Sequence, residues 1–177
     1  DSRLDRPWGV YRTYTDEETD ETRTVQVEHW VDAYSPSVWQ YNIDIAREAV
    51  AFGVDEIQFD YIRFPSDGRT EDIEKRYAVE GADRIQALEG FLSAARDAID
   101  IPIGIDVFGF NAWSRMSYLG QDISRLRDYV DVISPMSYPS HFARAFLPQF
   151  TYLERAAIIY DLGTRRAREI ASGILMS

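Results

Sequence analysis

The sequence predicts an α/β fold assembled from parallel βαβ units, and three observations carry that prediction. Apolar stretches of strand length alternate with longer stretches at helical spacing, in the order helix, strand, helix, strand, helix, strand, helix. Helical segments rather than tight turns separate the strand-like runs, and crossovers of that kind join parallel neighbours. Side chains alternate along a strand, and in the first two strand-like runs this sets an apolar row, Ile57 and Phe59 or Ile103, Ile105 and Val107, opposite a row that contains an acid, Asp60 or Asp106. These features fit a barrel and an open sheet equally.

The elements follow from the N-terminus. "GVYRTYTDEETDETRTVQVEHW" alternates on both sides of an acidic, turn-like centre and predicts a hairpin of Val10–Tyr14 and Thr22–Trp30. "SPSVWQYNIDIAREAVAFG" predicts a helix, with Ser35 as N-cap, Pro36 at the first position and Gly53 as the stop. Its expected apolar stripe is Val38, Tyr41, Ile45, Ala49 and Phe52. "VDEIQFDYIRFP", from Val54, reads as the first strand of a parallel sheet, and "PSDGRTEDIEKRYAVEG" as a polar loop. A helix from Ala82 to Ile99 carries a stripe of Ile85, Leu88, Leu92 and Ala95. "IPIGIDVFGF" is the next strand, Ile123–Tyr129 a short helix, and "VDVISPMSYPSH" a third strand. Tyr152 to Ile170 is helical, with an expected break at Gly163.

With 177 residues the chain is one domain, yet a complete (β/α)₈ barrel takes about 250. If the fold is a barrel, three clear strands make about half of one. The chain begins at Asp1 without a methionine and stops at "SGILMS", which reads like the start of a strand. Residues 1–177 are therefore expected to be one partial domain cut from a longer protein.

Composition narrows the function. A net charge of −11 disfavours nucleic acid and anionic membrane as partners, because phosphates need cationic neutralisation. The absence of cysteine excludes disulfide scaffolds, thiolate metal sites and cysteine nucleophiles. No apolar run reaches the length of a membrane span. No cofactor is expected.

Charge inside the first parallel strand is the strongest functional signal. Ile57 and Phe59 share one face with Asp55 and Tyr61 and suit helices, and Glu56, Gln58 and Asp60 share the other. A carboxylate on an inward face is costly unless it is paired or near solvent. Asp60 comes late in its strand, towards the C-terminal end where barrel active sites are built. The second strand repeats the pattern, with Ile103, Ile105 and Val107 opposite Gly104, Asp106 and Phe108. In the third, Val132, Ser134, Met136 and Tyr138 share a face, and His141 follows. Three successive strands thus bring Asp60, Asp106 and Tyr138 with His141 to one rim. Arg63 equally suits a neutralising partner of Asp60 or Asp67, and His141 an ordinary loop histidine. Trp39 reads as packing, whereas Trp30 and Trp113 sit beside loops and suit sugar platforms.

These residues carry a family resemblance. "HWVDAYSPSVWQYNIDIAREAVAFG", "DEIQFDYIRFPSDG", "IGIDVFGF" and "LGQDISRLRDYVDVISPMSYPSH" together resemble a bacterial family of putative glycoside-hydrolase domains. That family is distantly related to amylase-like and α-galactosidase-like barrels. The resemblance runs from about His29 to His141 and implies a partial (β/α)₈ barrel covering about strands four to six. It places Asp60 where related barrels hold the strand-four nucleophile, and "FDY" looks like the nucleophile context of α-galactosidase-type enzymes. "ISPMSYP" is similar to the sixth strand of family 18 chitinases. The fourth strand departs from that family's DxxDxDxE pattern, because Gln58 replaces the middle acid and Ile62 the glutamate.

The expected activity is hydrolysis of glycosidic bonds in a poly- or oligosaccharide. Asp60 is assigned as nucleophile and Asp106 as general acid/base, the two carboxyls such a reaction needs. Gln58, Arg63, Tyr138, His141, Trp30 and Trp113 are assigned to the carbohydrate. A secreted or cell-envelope location is expected. The main rival is a non-catalytic carbohydrate-binding protein of the cell envelope. A metal-dependent hydrolase using Asp60, Asp106 and His141 is weaker, because the two histidines in the chain show no HxH or HExxH spacing.

Overall fold

A computed structural model describes residues 8–66, 70, 73, 74 and 76–177. Two antiparallel strands, β1 (Gly9–Thr15) and β2 (Thr22–Val31), form the predicted hairpin, with a bulge between Gly9 and Tyr11. Helix α1 (Pro36–Ala51) follows, then β3 (Ile57–Phe59), α2 (Arg84–Ala98) and β4 (Ile103–Phe108). A short α3 (Ile123–Leu126) runs into a 3₁₀ turn, Arg127–Tyr129, ahead of β5 (Val132–Met136). The long α4 (Tyr152–Ile170) leads to β6 (Leu175–Met176), the strand that "SGILMS" announces. β3, β4, β5 and β6 form one parallel sheet in chain order.

One face of that sheet is the core. Ile57, Ile103, Ile105, Val107 and Ile133 are buried under the helices, together with Leu88, Phe91, Leu92 and Ala95 of α2. Phe91 meets Phe59 edge-on at 5.0 Å. All four residues of the predicted α2 stripe are buried, and Asp83 caps the helix by accepting from the Ile85 N–H at 2.8 Å. Such a cap contributes about 1 kcal/mol. Registers Gln58↔Gly104 and Asp106↔Ser134 put the polar residues of all three strands on the opposite face, as the alternation predicts.

Three expectations need correction. In α1 the buried residues are Val38, Ile43 and Ala46, while Tyr41 and Ile45 are 50% exposed and Phe52 is 83% exposed. The helix carries apolar residues on more than one face, and Trp39 decides between them. Its indole N–H donates to the Ala33 carbonyl at 2.7 Å, and its ring fills the notch at Gly90 on α2, where an added Cβ would lie 2.7 Å from it. The first parallel strand is also shorter than its β-rich composition suggests. It ends at Phe59, because Tyr61 turns into the left-handed region at φ 55°. Finally, α4 is not broken at Gly163. That glycine makes room for the Trp113 ring, which an added Cβ would approach to 2.7 Å. Thr151 and Glu154 start the helix with a reciprocal capping box.

Asp131 fastens the opposite end of the sheet. Its carboxylate accepts from the Ile103 N–H at 2.8 Å and pairs with Arg96 of α2. Burial opposes its ionisation, but the Ile103 N–H and Arg96 outweigh that and hold the carboxyl below its ordinary value. A depressed folded-state pKa stabilises the fold above the unfolded value, about 3.9, and the contribution disappears as pH falls through the folded value. Asp131→Asn should therefore be less stable than wild type at pH 7 by no more than about 1 kcal/mol, since the pair is solvent-screened. Melting curves from pH 7 to pH 2 should show that difference closing below about pH 4. A constant difference across the range would rule out the ionic role.

Candidate active site

Because β3 stops at Phe59, Asp60 stands on a turn at the C-terminal end of the sheet. Its Oδ1 accepts from the Tyr61 N–H at 2.6 Å, and the Arg63 N–H bonds back to the Tyr61 carbonyl at 2.8 Å. Ile62 and Phe64 are buried and anchor the turn from below. A left-handed non-glycine residue costs of order 1–3 kcal/mol and concentrates at functional sites. Tyr61 is one of two beside this turn; His29, at φ 64°, is the other.

The turn separates two clefts. One, of about 590 Å³, opens over the C-terminal ends of β3, β4 and β5 and is lined by Asp60, Tyr61, Arg63, Phe108, Tyr138 and His141 among others. The second, about 540 Å³, lies beside β3 and is lined by His29, Trp30 and Asn42 together with the same Asp60, Tyr61 and Arg63. Four predicted residues, Asp60, Arg63, Tyr138 and His141, thus meet in one cleft. Tyr138 and His141 face each other edge-on at 5.1 Å.

Arg63 is only 8% exposed, and aromatic rings surround its guanidinium. The group lies 4.7 Å from the Trp30 ring, 5.0 Å from Phe108 and 5.1 Å from Tyr61. Its Nη1 also donates to Ser66 Oγ at 3.0 Å. Cation–π contacts of this kind gain strength when desolvated. Asp67, the other partner considered for Arg63, lies outside the described residues.

Asp106 sits on the polar face below the mouth, is 9% exposed and does not line either cleft. Gln58, assigned to the carbohydrate from the sequence, instead spends its Nε2 donor on both Asp106 oxygens, each at 2.8 Å. That bifurcated contact fixes the plane of the carboxyl group. The Trp113 ring packs edge-on against Phe142 and Phe146, both at 5.4 Å, and against α4 at Gly163, so it joins a loop to a helix and lines neither cleft. Among the described residues, no group of three or more His, Asp or Glu side chains is placed to hold a metal ion.

A protein family described as a putative glycosyl hydrolase domain matches residues 8–174. The chain belongs to that family. The match extends beyond His29–His141, so the hairpin and α4 lie within the matched family domain. No curated protein and no solved structure matches the chain. The family description implies a carbohydrate substrate. No helix among the described residues is long and apolar enough to cross a membrane.

Some residues of this family domain carry no signal in the sequence. Tyr61 and His29 matter through backbone conformation, which composition does not encode. Phe108 follows Asp106 on the inward face and suits an apolar neighbour that desolvates it, and its ring also forms one wall of the Arg63 cage. Gln121, fully buried, bonds to both loops that frame the mouth. Its sequence context, "LGQDIS", offers only its position after a turn glycine as a signal.

Proposed function

We propose that the chain is a glycoside hydrolase acting on a poly- or oligosaccharide, with Asp60 as nucleophile and Asp106 as general acid/base. The observation that carries this reading is the exposed Asp60 carboxylate opening into one cleft with Arg63, Tyr138 and His141, at the C-terminal ends of parallel strands. In the reaction a carboxylate oxygen of Asp60 bonds to the anomeric carbon while the bond to the leaving sugar oxygen breaks. Protonated Asp106 gives its proton to that oxygen, and then takes one from the water that releases the glycosyl–Asp60 ester. Gln58 orients Asp106 throughout. Tyr138 and His141 bond sugar hydroxyls, and Trp30 offers a ring face on the other side of Asp60.

The proposal includes the architecture. A doubly wound sheet reverses its strand order and carries helices on both faces. Here β3, β4, β5 and β6 follow in chain order, and α1, α2, α3 and α4 pack on one another in the same order. That order supports reading the sheet and its helices as an arc of a (β/α)₈ barrel. A polymeric substrate favours a secreted or cell-envelope setting.

One observation favours a second reading, a carbohydrate-binding protein without turnover: Asp106 lies outside the cleft linings. Reducing-end release from a panel of plant and bacterial polysaccharides, paired with calorimetry, separates the two. Hydrolysis of at least one polymer is the expected result. Saturable saccharide binding with no product from any polymer would establish the binding protein instead.

A further inference from the structure

Asp60 poses a mechanical problem: what holds a carboxylate steady on a turn beyond the end of a three-residue strand? The lower half of the turn is tied to another part of the chain, the segment Met116–Gln121. The Phe64 N–H donates to the Leu119 carbonyl at 2.9 Å, and Gln121 Nε2 donates to the Ile62 carbonyl at 3.2 Å. The other end of the same amide faces β4. Gln121 Oε1 accepts from the Phe108 N–H at 3.0 Å and from Asn111 Nδ2 at 3.1 Å. One side chain thus joins the loop that carries Asp60 to the end of the strand that carries Asp106.

Gln121 is itself held in place. Its backbone N–H and carbonyl exchange bonds with Met116, at 3.2 Å and 3.1 Å. Gly120 before it takes φ 79° and presses so closely on Arg84, Leu88 and Phe64 that a Cβ would come within 3.0 Å of all three. The glutamine is 0% exposed and lines neither cleft. A buried amide costs free energy unless its groups are bonded. A core position that needed only packing would be filled more simply by leucine.

We propose that Gln121 is a positioning residue for the reaction: its amide sets the spacing between the Asp60 turn and the end of β4, and so the reach of Asp60 into the cleft. The inference rests on the reading of Asp60 as the attacking group. Misplacing a reacting group by about 1 Å from a remote site costs roughly 10²-fold in rate. Gln121 touches no substrate, so the loss falls on kcat and not on KM.

The test compares Gln121→Leu, Gln121→Glu and Leu126→Ala in the full-length protein. Leucine removes all three side-chain bonds at similar volume. Glutamate keeps the acceptor for Phe108 and Asn111 but, ionised, cannot donate to the Ile62 carbonyl. Leu126, fully buried in the core, supplies a destabilised control outside the site. Well below their melting temperatures, both Gln121 variants should lose roughly 10- to 100-fold in kcat with KM within about threefold. Leu126→Ala should keep wild-type kcat. Incorporation of 5-fluorotryptophan gives a readout independent of turnover, because Trp30 lies against the turn, 5.9 Å from Tyr61. Its ¹⁹F signal, assigned with Trp30→Phe, should move in both Gln121 variants, while that of Trp8, packed at a tilt against Tyr41 at 5.4 Å, should not. A kcat within twofold of wild type in either variant, or an unmoved Trp30 signal, overturns the proposal. So does an equal kcat loss in Leu126→Ala. If the wild type turns over no polysaccharide, the reading of Asp60 fails separately, and the Trp30 signal alone decides whether Gln121 sets the turn.

Discussion

Asp60→Asn should retain the fold and lose roughly 10²–10⁴-fold in turnover of any polysaccharide the wild type cleaves. The amide has nearly the shape of the carboxylate and can still accept the Tyr61 N–H that fixes the turn, so melting temperature should change little. What it lacks is the charge that attacks the anomeric carbon. Asp106→Asn should behave differently, and the contrast is diagnostic. An acid matters only as much as the leaving oxygen needs a proton, so an aryl glycoside with a low-pKa phenol should recover most of the Asp106→Asn kcat/KM, which reports the first step, while kcat stays limited by release of the glycosyl–Asp60 ester without its base. The same substrate should not rescue Asp60→Asn, because its first step still lacks a nucleophile. Asp60→Asn with wild-type turnover would remove Asp60 from the chemistry. If neither variant responds to the leaving group, the division of roles between the two acids is wrong.

Legibility depended on whether a feature is set by periodicity or by contact. Alternation along Ile57–Phe59 and Ile103–Phe108 separates the core face from the polar face, and the registers Gln58↔Gly104 and Asp106↔Ser134 place the residues as alternation requires. The α2 stripe was equally plain, since that helix has a single apolar face. α1 was not, because periodicity offers more than one stripe there and only the Trp39–Gly90 contact selects among them. At the mouth, Asp60, Arg63, Tyr138 and His141 come into one cleft because they follow strands. Gln58 and Trp113 were given sugars to hold because the sequence cannot say that an inward amide will find Asp106 first, or that a loop indole will find α4. Gln121 and Tyr61 act through a buried bond and a backbone angle, neither of which has a residue-type signature.

Gly109 shows how much of the mouth depends on such unsigned contacts, and Gly109→Ala should lower stability by about 1–3 kcal/mol. An added Cβ would lie 2.6 Å from the Met136 carbonyl oxygen and 2.7 Å from the Ser137 Cα. Both are backbone atoms, so no rotamer change relieves the clash, and one chain must move. The Gly109 side is pinned: Asn111, two residues on, donates to the Phe108 carbonyl at 3.0 Å and to Gln121 at 3.1 Å. The displacement therefore falls on the end of β5 and on the loop carrying Tyr138 and His141, which line the Asp60 cleft. Saccharide binding should weaken along with stability, read as a raised KM or a lower calorimetric affinity. Gly53→Ala supplies the comparison. That glycine sits at φ 91° with nothing within 4 Å of an added Cβ, so its cost is conformational and local to the end of α1. It should lower the melting temperature without changing saccharide affinity. Equal affinity losses in the two variants would mean that Gly109 acts through overall stability and not through the wall it gives the cleft.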